Sequence, residues 1–231
     1  MTPNQVRVSQ EERTAKFTKL VGRGVVEFRW SDDSGKHMEQ GDLDFWKNGN
    51  AISFRISKLG ELILWFGGEN QHFWFFDLTG DETILTIGDK TKIFSDVQVA
   101  LILLGLSPLP EGDLHIKDGV VSLWDEKGRL WEATFDRATN RPLVITLIEG
   151  EEKSTAIHRR EVRVEIENKH ELHWPITGGL IDLDEKQGNA EIKIVFSTLS
   201  TIVDEEPMEQ VLDLDYLTKA LKPEVIVEES K

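Results

Sequence analysis

Short runs in which apolar and polar residues alternate dominate this chain, and a period of two predicts β-strands. In one such run, Val26, Phe28 and Trp30 alternate with Glu27 and Arg29. About twelve runs of this kind follow one another, separated by turn residues at intervals of about ten residues, and loops this short join antiparallel neighbours. The sequence therefore predicts a mainly β protein with an antiparallel sheet.

One internal stretch, near residues 95–106, breaks the alternation and predicts a helix. Ser95 or Asp96 is a candidate N-cap, and Gly105 ends the stretch. The residues between them are apolar almost all round. A helix without a polar face either lies in a core or rests on an apolar surface, so this helix is expected to plug or cover something.

The two ends of the chain have different patterns. Val6 to Leu20 predicts a helix, within an N-terminal helical segment at 1–20. The segment 201–231 holds nine acidic residues and three lysines. We interpret it as a solvated, partly frayed end or as a docking surface for a basic partner. After Pro207 the pattern fits both a strand and a helix.

Both faces of one predicted strand are aromatic. Phe73 and Phe75 lie on one face, and Trp74 and Phe76 lie on the other. One face has to belong to the core. Aromatic residues on the second face indicate either that the strand is buried on both sides beneath the N-terminal helix or that this face contacts a partner or lipid.

A sheet of this size with one apolar face has to close into a barrel, curl, or divide into a sandwich. A barrel wider than about eight strands is not filled by its own side chains and holds a ligand, a plug or water. If the sheet, at 21–200, curls around the central helix, its concave side forms an apolar pocket. We expect one domain over residues 1–231. The candidate ligand-binding residues are Phe28, Trp30, Phe54, Leu64, Phe66, Phe73, Phe75, Leu101, Trp131 and Phe135.

Composition and motifs exclude several classes of function. The chain has no cysteine, which excludes thiolate nucleophiles and thiolate metal sites. Its net charge of −15 repels phosphate backbones, so no nucleic-acid partner is expected. Residues 105–109 lack the second glycine of a nucleophile elbow, and His170 and His173 lack the spacing of a zinc helix. We expect a protein that is not an enzyme, with no catalytic residues, metal or cofactor.

The run Leu20 to Asp77 resembles the opening of the LolA/LolB-like lipoprotein-carrier superfamily. The resemblance rests on a glycine-flanked first strand at 22–28, a second strand at 41–45, a third at 52–56 and a fifth that carries 70–74. The helix near 95–106, ending in Leu-Gly-Leu, lies where that family places a lid helix. The resemblance implies a curled, unclosed antiparallel β-barrel of about 11–12 strands, with a few helices covering the concave face and a cavity for acyl chains.

The chain departs from that family in two respects. LolB-type receptors carry a protruding apolar loop between early strands, whereas Ser57 to Gly60 predicts only a tight turn. Anchored members begin with a lipidated cysteine, which this sequence lacks. The resemblance implies a place in the bacterial cell envelope, either periplasmic or anchored to the outer membrane, with the signal and anchor cysteine outside this chain.

Two functions remain open. The first is non-enzymatic binding of an acyl chain or lipid in an apolar cavity, as in a lipid or lipoprotein carrier, with a membrane or envelope protein as its partner. The alternative is a structural or interaction protein with a filled β core that binds a protein partner.

Overall fold

The computed structural model describes residues 2–32, 35–70, 72–88, 97–150, 152–166, 169–182 and 189–229. The helices are α1 (Pro3–Thr14), α2 (Val97–Leu103), α3 (Glu205–Leu212) and α4 (Leu214–Leu221), with a short 3-10 helix at Ala15–Phe17. The strands are β1 (Lys19–Asp32), β2 (Gly35–Asn48), β3 (Ala51–Lys58), β4 (Glu61–Glu69), β5 (His72–Asp77), β6 (Ile84–Gly88), β7 (His115–Lys117), β8 (Val120–Trp124), β9 (Leu130–Phe135), β10 (Pro142–Glu149), β11 (Glu152–Ile166), β12 (Lys169–Asp182), β13 (Asn189–Ser200) and β14 (Val225–Glu229).

These strands form one sheet in the order β14-β6-β5-β4-β3-β2-β1-β13-β12-β11-β10-β9-β8-β7. Neighbours are antiparallel except that β14 joins β6 in parallel and β11 briefly meets β13 in parallel. In the described ranges, no pairing joins β14 to β7, so the sheet is open. A mainly β, unclosed antiparallel sheet is therefore confirmed. The strands beyond the expected twelve are β7, which has three residues, and β14, which lies in the acidic end.

The hairpin turns follow the sequence signals. Gly49, between β2 and β3, has a φ of +57°, the left-handed conformation that glycine adopts without steric cost. Leu59 and Gly60 join β3 to β4 with φ values of +54° and +86°. This connection is the tight turn expected at Ser57 to Gly60.

The N-terminal helix is shorter than the predicted span from Val6 to Leu20. Thr2 caps α1 by accepting a hydrogen bond from the Gln5 backbone N–H, and the Gln5 side chain accepts one from the Thr2 N–H. The error lies at the other end, because Leu20 belongs to β1. The spacing of Phe17 and Leu20 fits a helix, but Leu20 pairs with Lys47 of β2 and is fully buried there.

The acidic segment 201–231 is folded through residue 229, so the prediction of a frayed end was wrong. Met208 of α3 and Leu217 of α4 are buried. Asp213 caps α4 by accepting a hydrogen bond from the Tyr216 N–H at 3.1 Å. The alternation over 212–216 therefore marks a helix boundary, because the acidic residue between the apolar ones is a cap. Among the described helices, none combines the length and apolar character needed to cross a membrane.

Three apolar clusters hold the fold together. The first joins β1–β5, β11 and β13 to one side of α2, and the second joins β8–β11 and α1 to its other side. The third lies on the opposite face of the sheet, where α3 and α4 cover Trp65, Trp74, Phe76 and Leu85. The face that contacts α2 is called the concave face below, and the face beneath α4 is called the convex face.

Candidate functional site

Helix α2 is apolar except at Gln98 because two parts of the sheet enclose it. Val97, Ala100 and Leu101 pack into the first cluster. Val99 and Ile102 pack into the second. The helix ends at Leu103, one residue before the predicted end at Leu104, and its predicted start at Ser95 or Asp96 lies outside the described residues. Gly105 follows with a φ of +70°, consistent with its predicted role as the stop.

Buried polar groups bind the carbonyls at the end of α2. Arg13 Nη2 donates to the Gly105 carbonyl at 2.7 Å, and His158 Nε2 donates to the Leu103 carbonyl at 3.0 Å. Burial lowers the pKa of Arg13 to about 10. The side chain of His158 on β11 is buried against α2. These bonds fix α2 to both α1 and the sheet.

The concave face is built from rows of cross-strand neighbours. The innermost row comprises Leu20, Lys47, Ile52, Gly68 and Phe73; the second comprises Gly22, Phe45, Phe54, Phe66 and Phe75; the third comprises Gly24, Leu43, Ile56, Leu64 and Asp77. Farther along β1, Val26 pairs with Gly41 on β2 and Ile194 on β13. Phe28 pairs with Glu39 and Ile192 on the same two strands, and Trp30 pairs with His37 on β2.

Phenylalanine rings run across the second row. The centroids of Phe45 and Phe54 are 4.8 Å apart, as are those of Phe54 and Phe66, and the Phe66 and Phe75 centroids are 6.3 Å apart. Gly22 makes room at the β1 end of this row, because a Cβ there would lie 2.6 Å from Leu199 Cδ2. Cross-strand aromatic pairs of this kind add about 0.2–1 kcal/mol each to the stability of the sheet.

Most side chains of the three rows are buried, and along β1 burial falls from Leu20 and Val26 to Phe28 and Trp30. Phe73 and Phe54 are 2% and 1% exposed, whereas Trp30 in the outermost row is 37% exposed and stacks on His37 at 5.1 Å. Between these extremes lies a set of apolar side chains that pack on the first cluster but remain half-buried. Five of them lie in the rows described above or pair with β1 there, and we call these five the open end: Phe28, Leu64, Phe75, Ile192 and Ile194.

The polar member of the innermost row is Lys47. Its Nζ donates to the carbonyls of Phe17 and Gly49 at 2.9 and 2.7 Å. Burial lowers the pKa of this lysine to about 8. Lys47 therefore ties the 3-10 helix to the turn between β2 and β3, and it has a structural role at the closed side of the concave face.

The structure distributes the predicted ligand-binding residues over three places. Seven belong to the first cluster: Phe28, Phe54, Leu64, Phe66, Phe73, Phe75 and Leu101. Trp131 and Phe135 belong to the second cluster on the far side of α2. Trp30 lies in neither cluster. Sequence reasoning omitted Ile192 and Ile194, although their alternation was visible, because nothing local shows that β13 pairs with β1.

Trp131 is held by a buried ion pair. Burial tends to raise the pKa of Asp125, but hydrogen bonds from Trp131 Nε1 at 2.9 Å and from Arg129 Nε at 2.7 Å lower it overall. The carboxylate thereby stays ionised, and it positions the indole ring within the second cluster.

A separate cleft of about 900 Å³ lies between α1 and the loops around β7–β9. Of the predicted residues, Phe135 lines it, together with polar side chains such as Gln5, Glu12 and Asn140. Across the described part of the chain, no group of three or more histidine and acidic side chains could hold a metal ion.

An open antiparallel sheet that curls around an apolar helix defines the class of fold. Comparison of the sequence with protein-family models gives no match, and neither does comparison with curated proteins. Solved structures do match. A DUF1329 family protein from Desulfovibrio piger aligns over 91% of this chain and 98% of its own, with a TM-score of 0.54 and 8% identity.

Two further solved structures align over similar shares of the chain. A putative outer membrane lipoprotein-sorting protein domain from Vibrio parahaemolyticus covers 90% of this chain and 97% of its own, with a TM-score of 0.51 and 10% identity. A LolA superfamily protein from Nitrosomonas europaea covers 94% and 99%, with a TM-score of 0.47 and 12% identity. The alignments with TM-scores of 0.54 and 0.51 show that the chain shares the fold of the DUF1329 and lipoprotein-sorting structures, which confirms the structural part of the resemblance.

Proposed function

We propose that this protein binds a hydrophobic ligand, an acyl chain or lipid, at the open end of the concave face, without catalysing a reaction. One observation carries the proposal: five apolar side chains of the open end pack on the core but remain half-buried. On the convex face, α4 covers the equivalent aromatic residues of β4 and β5. The concave face thus keeps apolar surface that a ligand would remove from water.

The energetics favour a long chain over a small solute. Each buried methylene contributes about 0.8 kcal/mol, so about ten methylenes contribute about 8 kcal/mol. Association costs at least about 4 kcal/mol in lost translational and rotational freedom. Ligands with only a few methylenes therefore gain too little to bind, whereas fatty-acid chains gain enough.

The LolA-like fold supports a carrier role in the bacterial envelope, since one solved structure with this fold is named a lipoprotein-sorting domain. We propose an acyl-bearing lipid or lipoprotein as the cargo and a periplasmic or outer-membrane location. An envelope or membrane protein would be the partner that delivers or receives the cargo.

The test uses a fluorescent fatty acid and a charge placed at the open end. Phe28→Asp should abolish uptake, because Phe28 is half-buried and a charge there would have to be desolvated by the ligand. Val195→Asp is the matched control, since Val195 is exposed on the same pair of strands and faces away. Equal uptake by folded Phe28→Asp protein would contradict the proposed site.

Phe54 is less suitable for this test. It is 1% exposed beneath Ala100 and Leu101 of α2, so a charge there would unfold the chain rather than report on binding. Organic extraction and mass spectrometry of the purified protein would identify a bound lipid, which we expect at close to one chain per molecule. An extract free of lipid, with no fatty-acid uptake, would contradict the proposal.

The second candidate function is a filled β core that presents a surface to a protein partner. The observation in its favour is that α2 already occupies the inner rows of the concave face, where Ile52, Phe54 and Phe73 are fully buried. A protein of this kind would bind no fatty acid, so the same uptake measurement separates the two functions.

A further inference from the structure

The sheet ends in two edges with opposite properties. β7, at one edge, has only three residues, and His115 and Lys117 are exposed on it. Short length and a lysine are devices by which proteins prevent another strand from pairing with an edge. β14, at the other edge, has five residues and includes neither lysine nor proline. Within the described residues, no strand pairs with its outer side.

β14 also exposes apolar side chains on both of its faces. Val225, Ile226 and Val227 are 36%, 54% and 41% exposed, and Ile84 of the neighbouring β6 is 36% exposed. A row of unpaired backbone groups flanked by exposed β-branched side chains is the surface to which an extended peptide adds as a further strand.

The edge is held rigidly by its contacts with the rest of the fold. The Glu224 N–H donates to the Thr83 carbonyl at 2.9 Å, and the Thr83 N–H donates to Glu224 Oε2 at 2.6 Å. Leu217 of the preceding α4 is fully buried in the third cluster. A strand that is already ordered costs little further conformational entropy when a partner binds.

The charges around this edge select the partner. Asp81, Glu82 and Glu224 are exposed near the start of the β6–β14 pair, and Glu228 is exposed at its end. The hydrogen bond from the Thr83 backbone lowers the pKa of Glu224, so this carboxylate is ionised at neutral pH. The positive charge of Lys222, in the preceding turn, offsets only part of this negative charge. Acidic groups at both ends disfavour a second copy of this chain and favour a segment with cations at both of its ends.

We propose that the outer edge of β14 is a docking site for an extended segment of another protein, with apolar or threonine residues flanked by lysines or arginines. The segment adds antiparallel or parallel to β14 through backbone hydrogen bonds. Exposed carboxylates at both ends of the edge attract the flanking cations. This inference does not depend on lipid binding at the concave face.

The test uses a labelled peptide, Lys-Lys-Val-Thr-Val-Thr-Val-Lys-Lys, and fluorescence anisotropy with the full chain. We expect saturable binding that weakens with salt. The same peptide with glutamates in place of the lysines should not bind. A version with an N-methyl group on each of the three valines and two threonines should also fail, because neither of its edges can then donate backbone hydrogen bonds. Equal binding of the methylated peptide would overturn strand addition.

Substitutions in the protein test the same edge. Glu82→Lys combined with Glu228→Lys should lower affinity for the lysine peptide at least tenfold and create affinity for the glutamate peptide. Two Glu→Lys substitutions at acidic residues remote from the edge, Glu12→Lys with Glu132→Lys, should leave the preference for the lysine peptide unchanged. A loss as large in the remote variant would show nonspecific attraction and overturn the site.

Two further measurements distinguish this edge from a dimer interface and from the concave face. Sedimentation of the unliganded protein should show a monomer, and a dimer that Ile226→Lys dissociates would assign the edge to a second copy and overturn the proposal. The Phe28→Asp variant should bind the peptide with unchanged affinity, so failure of lipid binding and failure of peptide binding are distinguishable.

Discussion

The two faces of β4 and β5 carry equally aromatic sequences but differ in how they are covered. On the convex face, Trp65, Trp74 and Phe76 lie beneath α4 and are buried. On the concave face, Phe66 and Phe73 are buried by α2, while Phe75 remains half-buried. The convex cover buries its aromatic patch, whereas the concave cover, the seven-residue helix α2, leaves Phe75 half-buried. The difference shows that apolar alternation predicts which residues lie on a face and not whether that face is sealed.

The same comparison corrects one expectation. The apolar second face of β5 was expected either to lie beneath the N-terminal helix or to contact a partner or lipid. The C-terminal helices cover it instead, and Trp65 Nε1 donates to Ser53 Oγ at 2.8 Å within that layer. The acidic residues of α3 and α4 face solvent, while their apolar residues pack on the sheet. Both helices are therefore amphipathic, which the net charge of the segment does not show.

The largest effect should come from the sealed part of the concave face. Phe54→Ala should lower the free energy of unfolding by about 3–5 kcal/mol, because it removes a fully buried ring from the second row. Urea denaturation followed by tryptophan fluorescence measures this loss. Ile202→Ala is the control at an exposed site. A loss below about 1 kcal/mol would mean that α2 does not pack the inner rows as described.

The convex cover should be nearly as sensitive. Leu217→Ala should lower the free energy of unfolding by about 2–4 kcal/mol, because Leu217 is the fully buried α4 residue in the third cluster. Tyr216→Ala, at an exposed neighbouring position on the same helix, should have little effect. Equal effects of the two substitutions in urea denaturation would show that α4 does not seal the convex face.

A substitution at the open end should lower the affinity for a fatty acid while changing the free energy of unfolding only slightly. Phe28→Ala should lower the free energy of unfolding by less than about 1.5 kcal/mol, because the ring is only half-buried. Its affinity for a fluorescent fatty acid should fall about tenfold, since the ring would be fully buried only with ligand present. Val195→Ala should change neither quantity. A large stability loss without a change in affinity would place Phe28 in the sealed core.

The smallest effect should come from the ion pair between Lys19 of β1 and Glu205 of α3. The hydrogen bond and charge of Lys19 lower the pKa of Glu205, so any stabilisation exists above the ordinary pKa of glutamate and disappears as the pH falls below it. Because the pair is exposed, Glu205→Gln should leave the urea midpoint unchanged at pH 7. A clear decrease there, absent at pH 3, would show that charge rather than apolar packing attaches the convex cover.

Local patterns were enough to predict much of the fold. The alternation of Ile52, Phe54 and Ile56 specified the buried face of β3, and the turn at Leu59 and Gly60 specified its hairpin. These features depend on neighbours in the sequence, where the pleat and turn geometry act directly. The helix near 95–106 was visible for the same reason, and its predicted stop at Gly105 lies two residues after its last helical residue, Leu103.

Long-range pairings could not be predicted in the same way. Nothing local indicates that Phe28 faces Ile192, or that Val225 lies beside Ile84 in a parallel pair. As a result, the candidate site contained Phe28 but omitted Ile192, and it included Trp131, which lies across α2 in another cluster. A periodic pattern assigns residues to a face, and only the strand order shows which faces meet.

The position of β1 between β2 and β13 also constrains how the chain folds. β2 is available to β1 as soon as the first hairpin is made, whereas residues 189–200 leave the ribosome only after most of the chain has been synthesised. Until then, the other edge of β1 and its apolar residues have no native partner. Pairings so distant in sequence slow folding, so the nascent chain should depend on chaperones until β13 arrives.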